Sequence, residues 1–191
     1  VNDDPESRDF YCDVIMDEAG KMNRMVKNLM TLNQLEFGND KVEFERFNLT
    51  ELIGGVLQSM DILSQQKDVK LIFREENPVY VWGDEFKVEE VITNFLTNAM
   101  NHAAGEKKIT IRFQKHDHLV RTSVFNTGDP IPEEDLDKIW VKFYKVDKAR
   151  TREYGGSGIG LSIVEATMKA HGKDYGVANV EGGVEFYFDV E

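Results

Sequence analysis

Three asparagines are the first residues able to do chemistry. Asn94, Asn98 and Asn101 follow Glu90 at spacings of four, four and three, so these side chains share one face of a helix. Val88, Val91, Ile92, Phe95 and Ala99 occupy the opposite face. Asparagine is a poor helix former, because its side chain competes for backbone hydrogen bonds. A stripe of three therefore asks for a reason. An amide oxygen is a hard, neutral ligand for Mg²⁺, an ion that keeps several waters and bridges to phosphate. By itself the stripe suits a solvated polar face equally well.

Two glycine-bearing segments follow. Asn126-Thr-Gly128-Asp-Pro130-Ile131-Pro132 comes straight after a run of alternating polarity. A glycine where a strand ends lets a ligand approach the backbone, and Ile131 offers an apolar wall. The same residues are also ordinary turn chemistry. Gly155-Gly156-Ser-Gly158-Ile159-Gly160-Leu161 opens a helical run. Repeated glycines expose backbone N–H groups, and a helix N-terminus favours phosphate. No Lys-Ser or Lys-Thr pair follows, so this is not a Walker loop. It also lacks the preceding strand of a dinucleotide fingerprint. Lys145, Lys148, Arg150 and Arg152 stand before it instead. A polar, basic segment ending in glycines beside a phosphate site reads as a mobile lid over 145–157.

The elements that must position these groups fall into two pieces. Residues 5–37 read as one helix, with Asp4 as cap, Pro5 in the first turn and Gly38-Asn39-Asp40 at its end. Ile15, Met22 and Leu29 are seven apart, Met25 and Leu32 repeat in the second seam position, and Val14, Val26, Met30 and Leu35 flank them. One helix cannot bury such a coiled-coil-like stripe on itself. It either folds back onto the rest of the chain or pairs with another helix. Beyond it, the pattern predicts a helix over 49–67 behind an Asn48/Glu51 capping box, strands over 69–74 and 79–82, and a helix after Asp84 running to His102. Strands over 109–113 and 119–125, a short helix over 133–140, a helix over 158–170 and strands over 175–180 and 184–190 follow.

Composition narrows the function classes. The chain has 191 residues and a formal net charge of −12, which argues against nucleic-acid binding through bulk charge. The single cysteine, Cys12, excludes an internal disulfide and a CxxC metal site. No apolar run approaches the roughly 20 residues that span a bilayer. The first residue is Val, and the chain reads as a piece of a longer protein.

The order Asn94-xxx-Asn98, Asn126-x-Gly128, Phe143, Gly156-x-Gly158-x-Gly160 resembles the ATP-binding domain of bacterial sensor histidine kinases, in the wider group that holds DNA gyrase, the Hsp90 chaperones and MutL. The resemblance implies an α/β fold: a two-layer α/β sandwich preceded by one long coiled-coil-like helix. Residues 1–40 would be the second helix of a dimerisation and phosphotransfer hairpin, and 41–191 the catalytic ATP-binding domain. The implied cofactors are ATP and Mg²⁺. Asn94 and Asn98 would be catalytic, with Asn98 on Mg²⁺. Asn101 and His102 would also be ATP-binding residues, standing where the family often has a basic residue and then an aromatic. Asn126 stands in place of the family's adenine-binding Asp, and Pro130 in place of a second glycine. Asn126, Gly128 and Ile131 would hold adenine. Lys145 and Arg150, with the amides of Gly158, Ile159, Gly160 and Leu161, would hold the phosphates, and Tyr144 and Gly156 would also belong to the ATP-binding site. Trp140 starts a box that usually starts with Phe.

The family's phosphoacceptor histidine lies in a His-Glu-x-x-x-Pro type box. His102, His116, His118 and His171 are the histidines here, and none is followed by Glu. The implied function is γ-phosphoryl transfer from ATP to a histidine on a helix outside this chain, for relay to a response regulator. The partners would be ATP, a response regulator and a second copy through the hairpin, with no nucleic acid. The location would be the cytoplasmic portion of a membrane-anchored sensor, reaching the membrane only through other segments. The alternatives are a conformational-cycle ATPase of the same group, or a nucleotide-binding module without catalysis. Asn94 separates the first two, because related ATPases carry a water-activating Glu at that position and an amide has no useful proton affinity.

Overall fold

A computed structural model of the chain describes residues 5–37, 41–146 and 157–191. The first element, α1 (Pro5–Phe37), is a single unbroken helix. Its apolar seam is split between two environments. Phe10, Val14, Ile15, Met22, Val26 and Met30 face solvent, while Leu32 is buried against Ile159 and Ile163, with Leu35 and Ala166 alongside. The last turns of α1 therefore fold back onto the chain, and the earlier turns keep an open stripe. The expected stop at Gly38-Asn39-Asp40 lies outside the described residues, as does the cap Asp4.

A short strand that the charged sequence did not announce, β1 (Glu45–Asn48), comes next and pairs antiparallel with β3 (Tyr80–Gly83). Asn48 caps α2 (Leu49–Ser59) by accepting from the Glu51 N–H, and its amide reaches back to the Glu51 carboxylate. The single helix expected over 49–67 is broken at Met60, whose N–H is shared between Val56 and Leu57 while Ser59 Oγ donates to the Val56 carbonyl. A separate turn of helix, α3 (Asp61–Gln66), follows. Serine bonding back into its own helix competes with the regular ladder.

The main sheet has five strands in the order β2 (Lys70–Phe73), β4 (Lys108–His116), β5 (Leu119–Thr127), β7 (Gly183–Val190), β6 (Tyr175–Val180). The β2–β4 pair is parallel and the others are antiparallel. His116 and His118 sit exposed at the β4–β5 turn, with Asp117 at φ 51°. Residues 133–140, expected as one short helix, form two 3₁₀ turns, Glu133–Asp135 and Lys138–Trp140.

Two longer helices lie on the sheet. α4 (Glu85–His102) starts at Asp84, which accepts from the Lys87 N–H at 3.2 Å. α5 (Gly160–His171) ends at Gly172, in the left-handed conformation at φ 64°. The apolar face of α4 meets the sheet directly: the Phe95 ring lies 5.2 Å from that of Phe186 and 6.2 Å from that of Phe188. Helices packed on a sheet give the two-layer α/β sandwich, with the Asn face of α4 turned aside from that core.

One buried histidine ties the layer together. The Asp84 N–H donates to His171 Nε2 at 3.2 Å, and His171 Nδ1 lies 2.8 Å from the Thr167 carbonyl. These partners fix the neutral tautomer with its proton on Nδ1. Burial lowers the His171 pKa further, despite the Thr167 carbonyl and the charge of Asp84. Among the described residues no helix is long and apolar enough to cross a membrane.

Candidate nucleotide-binding site

The asparagine stripe meets the glycine segment where α4 packs against α5. Asn94 Nδ2 donates to the Glu90 carbonyl at 2.9 Å, which holds the side chain in one rotamer. Its Oδ1 then presses on Gly160, where an added Cβ would lie only 2.7 Å away. Gly160 is thus required by close approach. Glu90, one turn earlier, has its carboxyl pKa raised by burial. One turn beyond Asn94, the half-buried Asn98 makes no side-chain hydrogen bond to a described residue.

Asn101 Oδ1 accepts from the ammonium of Lys67, at 3.0 Å. Lys67 was not singled out by the sequence, because it belongs to the end of a different helix. His102 is exposed, and its carbonyl is the limit for the next loop: a Cβ on Gly128 would lie 2.7 Å from it. The Ala104 N–H donates to the Thr127 carbonyl at 2.9 Å, so the end of β5 is fastened to the end of α4.

Asn126 is buried, 2% exposed, and donates through Nδ2 to the Thr127 carbonyl at 3.2 Å. A side chain at Gly183 would run into the Asn126 backbone carbonyl, so the facing strand can only carry glycine there. Ile131 packs partly against the core. Its N–H donates to Asn179 Oδ1 at 2.9 Å, and Asn179 Nδ2 donates to its carbonyl at 2.7 Å. That clamp on β6 was not foreseen. Its only sequence signal is an amide on a strand of otherwise ordinary composition.

On the α5 side, the Phe143 N–H donates to the Gly158 carbonyl at 2.8 Å. Gly158 has φ 70°, and a Cβ there would lie 3.1 Å from Phe143 Cα and 3.3 Å from Lys145 Cε. The Lys145 stem therefore lies across the glycine segment. Tyr144 turns away: its hydroxyl donates to Asp135 at 2.5 Å. That bond pushes the Tyr144 phenol pKa up and holds the Asp135 carboxyl below its usual range. The Ile159 side chain also leaves the segment, packing fully buried against Leu32 and Ile163. Leu161 lies half-buried against the main core. Arg150 and Gly156, with most of the expected lid, lie outside the described residues.

The arrangement brings together Asn94, Gly158, Gly160 and Lys145 on one side, and Asn126, Gly128 and His102 on the other, with Asn98 between them on the helix. It offers backbone N–H groups at the start of α5, a cation beside them and a neutral oxygen ligand opposite. Such a set suits a phosphorylated ligand with a bound cation. Two surface grooves lie elsewhere. One, of about 470 Å³, lies between Ser64 and Lys107, and another, of about 590 Å³, lies among Leu35, Trp140 and Glu165.

Comparison with known proteins identifies the family. The family model described as histidine kinase-, DNA gyrase B- and HSP90-like ATPase matches residues 83–191. The sensor histidine kinase CusS of Escherichia coli K12 is 32% identical over 171 residues, which cover 90% of this chain and 35% of CusS. The sensor histidine kinase WalK of Bacillus subtilis is 28% identical over 88% of this chain and 28% of its own length. The chain thus spans about a third of the length of the curated relatives it matches. Among solved structures, the catalytic domain of histidine kinase ThkA is 34% identical with a TM-score of 0.68, covering 78% of this chain and 95% of that one. ThkA in complex with the response regulator TrrA is 31% identical with a TM-score of 0.75, covering 99% of this chain and 52% of that one. The chain belongs to the family of histidine kinase-, DNA gyrase B- and HSP90-like ATPases.

Proposed function

We propose that residues 41–191 are the ATP-binding catalytic domain of a sensor histidine kinase, and that residues 1–40 are the second helix of its dimerisation and phosphotransfer hairpin. The observation that carries this reading is the contact of Asn94 with Gly160, which joins the amide stripe to the glycine segment. ATP binds between them. Asn126, Gly128 and Ile131 hold adenine, and the amides from Gly158 to Leu161 meet the phosphates with Lys145, Arg150 and Gly156. Asn101 and His102 line the end of α4. Tyr144 acts from behind, by holding Asp135. Ile159 contributes its amide, because its side chain is committed to α1.

Asn98 fits a Mg²⁺ ion bound with the nucleotide, since it is a half-buried amide with no hydrogen-bond partner among the described residues. No cluster of three His, Cys, Asp or Glu among those residues could hold a metal alone, so Asn98 would hold the ion only together with oxygens from outside the chain, and the ion would supply charge to offset the polyphosphate.

Asn94 cannot activate water, which favours transfer to a nucleophile from outside. A neutral imidazole nitrogen forms the new bond to the γ-phosphorus while the bond to the bridging oxygen breaks, and ADP departs. Positioning and charge do the work of the site. The phosphoryl group then passes to a response regulator. The whole protein is a dimeric, membrane-anchored sensor with this part in the cytoplasm. In the test, this chain is mixed with radioactive ATP and a longer chain of the same protein that supplies the histidine but carries Asn98→Ala. Acid-labile labelling of the longer chain, and none of this chain alone, is expected. Steady ATP hydrolysis with no label on either would replace this reading with the ATPase alternative.

A further inference from the structure

We propose that Asn179 is a positioning residue for the adenine side of the site, acting through the backbone of Ile131. The inference rests on the ATP-binding reading above, which gives Ile131 a part in holding adenine. The sheet sets Asn179 level with Asn126. Asn126 on β5 pairs with Val184 on β7, and Val184 pairs with Asn179 on β6. Residues opposite one another on neighbouring strands turn their side chains to the same face. Asn126 and Asn179 therefore stand on one face of the sheet, two strands and about 10 Å apart. The loop that leaves β5 after Asn126 runs across to Asn179.

That loop offers few backbone groups by which to hold it. Pro130 and Pro132 have no N–H, so Ile131 carries the only backbone donor of the Pro-Ile-Pro run. Pro132 also biases Ile131 toward an extended conformation, and an extended residue turns its N–H and its C=O to the same side. Asn179 meets both. The Ile131 N–H donates to Oδ1 at 2.9 Å, and Nδ2 donates to the Ile131 carbonyl at 2.7 Å. One side-chain amide thus does for a single residue what a neighbouring strand would do. A second tie comes from the same hairpin: the Gly128 N–H donates to the carbonyl of Gly182, in the turn between β6 and β7, at 3.2 Å.

The two ties place the loop before a ligand arrives. A wall that is already ordered costs less to bind against than one that must be ordered at the moment of binding. The clamp touches Ile131 and lies on the adenine side, away from the start of α5, so its effect belongs to the base and not to the phosphates.

The test measures affinities of the full chain for ATP and ADP, with thermal unfolding as a check on folding. Asn179→Ala removes both bonds of the clamp. It is expected to weaken ATP and ADP by the same factor, about fivefold, because both carry the same base. Asn179→Gln carries the same amide one carbon further out and should recover most of the loss. Ile131→Ala should also weaken both nucleotides, and adding Asn179→Ala to it should cost little more, because the clamp then has no wall to place. Unchanged binding in Asn179→Ala would overturn the Asn179 assignment alone. So would a larger loss for ATP than for ADP, which would put the effect at the phosphates, or losses that multiply in full in the double variant, which would mark a separate structural role. Failure of the wild type to bind ATP would overturn the ATP-binding reading, and this inference with it.

Discussion

Asn126 is a buried amide with one end already committed. Its Nδ2 donates to the Thr127 carbonyl, which leaves Oδ1 to accept a ligand hydrogen bond. That is enough to take the amino group of adenine. A carboxylate in its place accepts only, so it would repel the carbonyl that guanine shows at the same edge. Asn126→Asp is expected to raise the ATP-over-GTP affinity ratio about tenfold, for a mismatch of about 1.4 kcal/mol. It should also lower stability, by about 1–3 kcal/mol, because the carboxylate loses the Thr127 partner in a buried place. Competition binding and thermal unfolding of both proteins would check the two parts separately. An unchanged ratio with unchanged ATP affinity would remove Asn126 from the base site. Asn98 behaves differently, since it holds no structural bond to a described residue. Asn98→Ala should leave the melting temperature nearly unchanged and abolish the part of ATP affinity that depends on Mg²⁺. Titration with and without the metal would show this, and a retained metal effect would contradict the assignment.

At the scale of elements, the junction of β3, α4 and α5 depends on a neutral His171. Its lowered pKa means that the folded state binds a proton less readily than the unfolded chain does. The contribution is therefore complete above the unfolded value, about 6.5, and declines as pH falls through it toward the lowered folded value. The slope from this one group cannot exceed about 1.4 kcal/mol per pH unit. Glu90 acts with the opposite sign: its raised pKa makes the folded state bind its proton more readily, so its contribution is lost as pH rises through the folded value. Comparing wild type with His171→Gln cancels Glu90, which both proteins carry. The wild type should lose more unfolding free energy between pH 7.5 and 5.5 than the variant, measured by denaturant titration; equal losses would dismiss His171 as the group responsible. This junction also marks the limit of sequence reading. α1 and α4 were legible because a helical stripe is a local pattern, and the Asn stripe and glycine segment were legible for the same reason. The bond from His171 to Asp84, the reach of Lys67 to Asn101 and the clamp of Asn179 on Ile131 each join distant parts of the chain, and no spacing encodes them. β1 was missed because only Phe47 of Glu-Arg-Phe-Asn is buried among apolar residues. Tyr144 stands beside Lys145 in the sequence, but nothing in the spacing announces the bond of its hydroxyl to Asp135, nine residues earlier.

At the scale of the molecule, α1 and the sandwich meet through a small apolar contact that stands apart from the main core. Leu32, Ile159 and Ile163 form their own cluster, while the core built on Phe95, Phe186 and Phe188 contains none of them. Apolar stabilisation follows buried area, so the two clusters should fail separately. Ile159 also sits between Gly158 and Gly160 in the chain, which places the α1 contact one residue from the proposed phosphate amides on either side. Leu32→Asp puts a charge into a site only 2% exposed, and an unpaired buried charge is not tolerated there. The expected response is release of α1 rather than unfolding of the sandwich. Amide hydrogen exchange should speed up along 25–37 while β5 and β7 stay protected. ATP affinity should fall several-fold, because the start of α5 loses the side-chain packing that orders it before the ligand arrives. Loss of protection in α1 and in the sheet together would mean that the two clusters are one cooperative unit. Unchanged ATP affinity with α1 released would mean that the glycine segment is ordered by Asn94 and Phe143 alone.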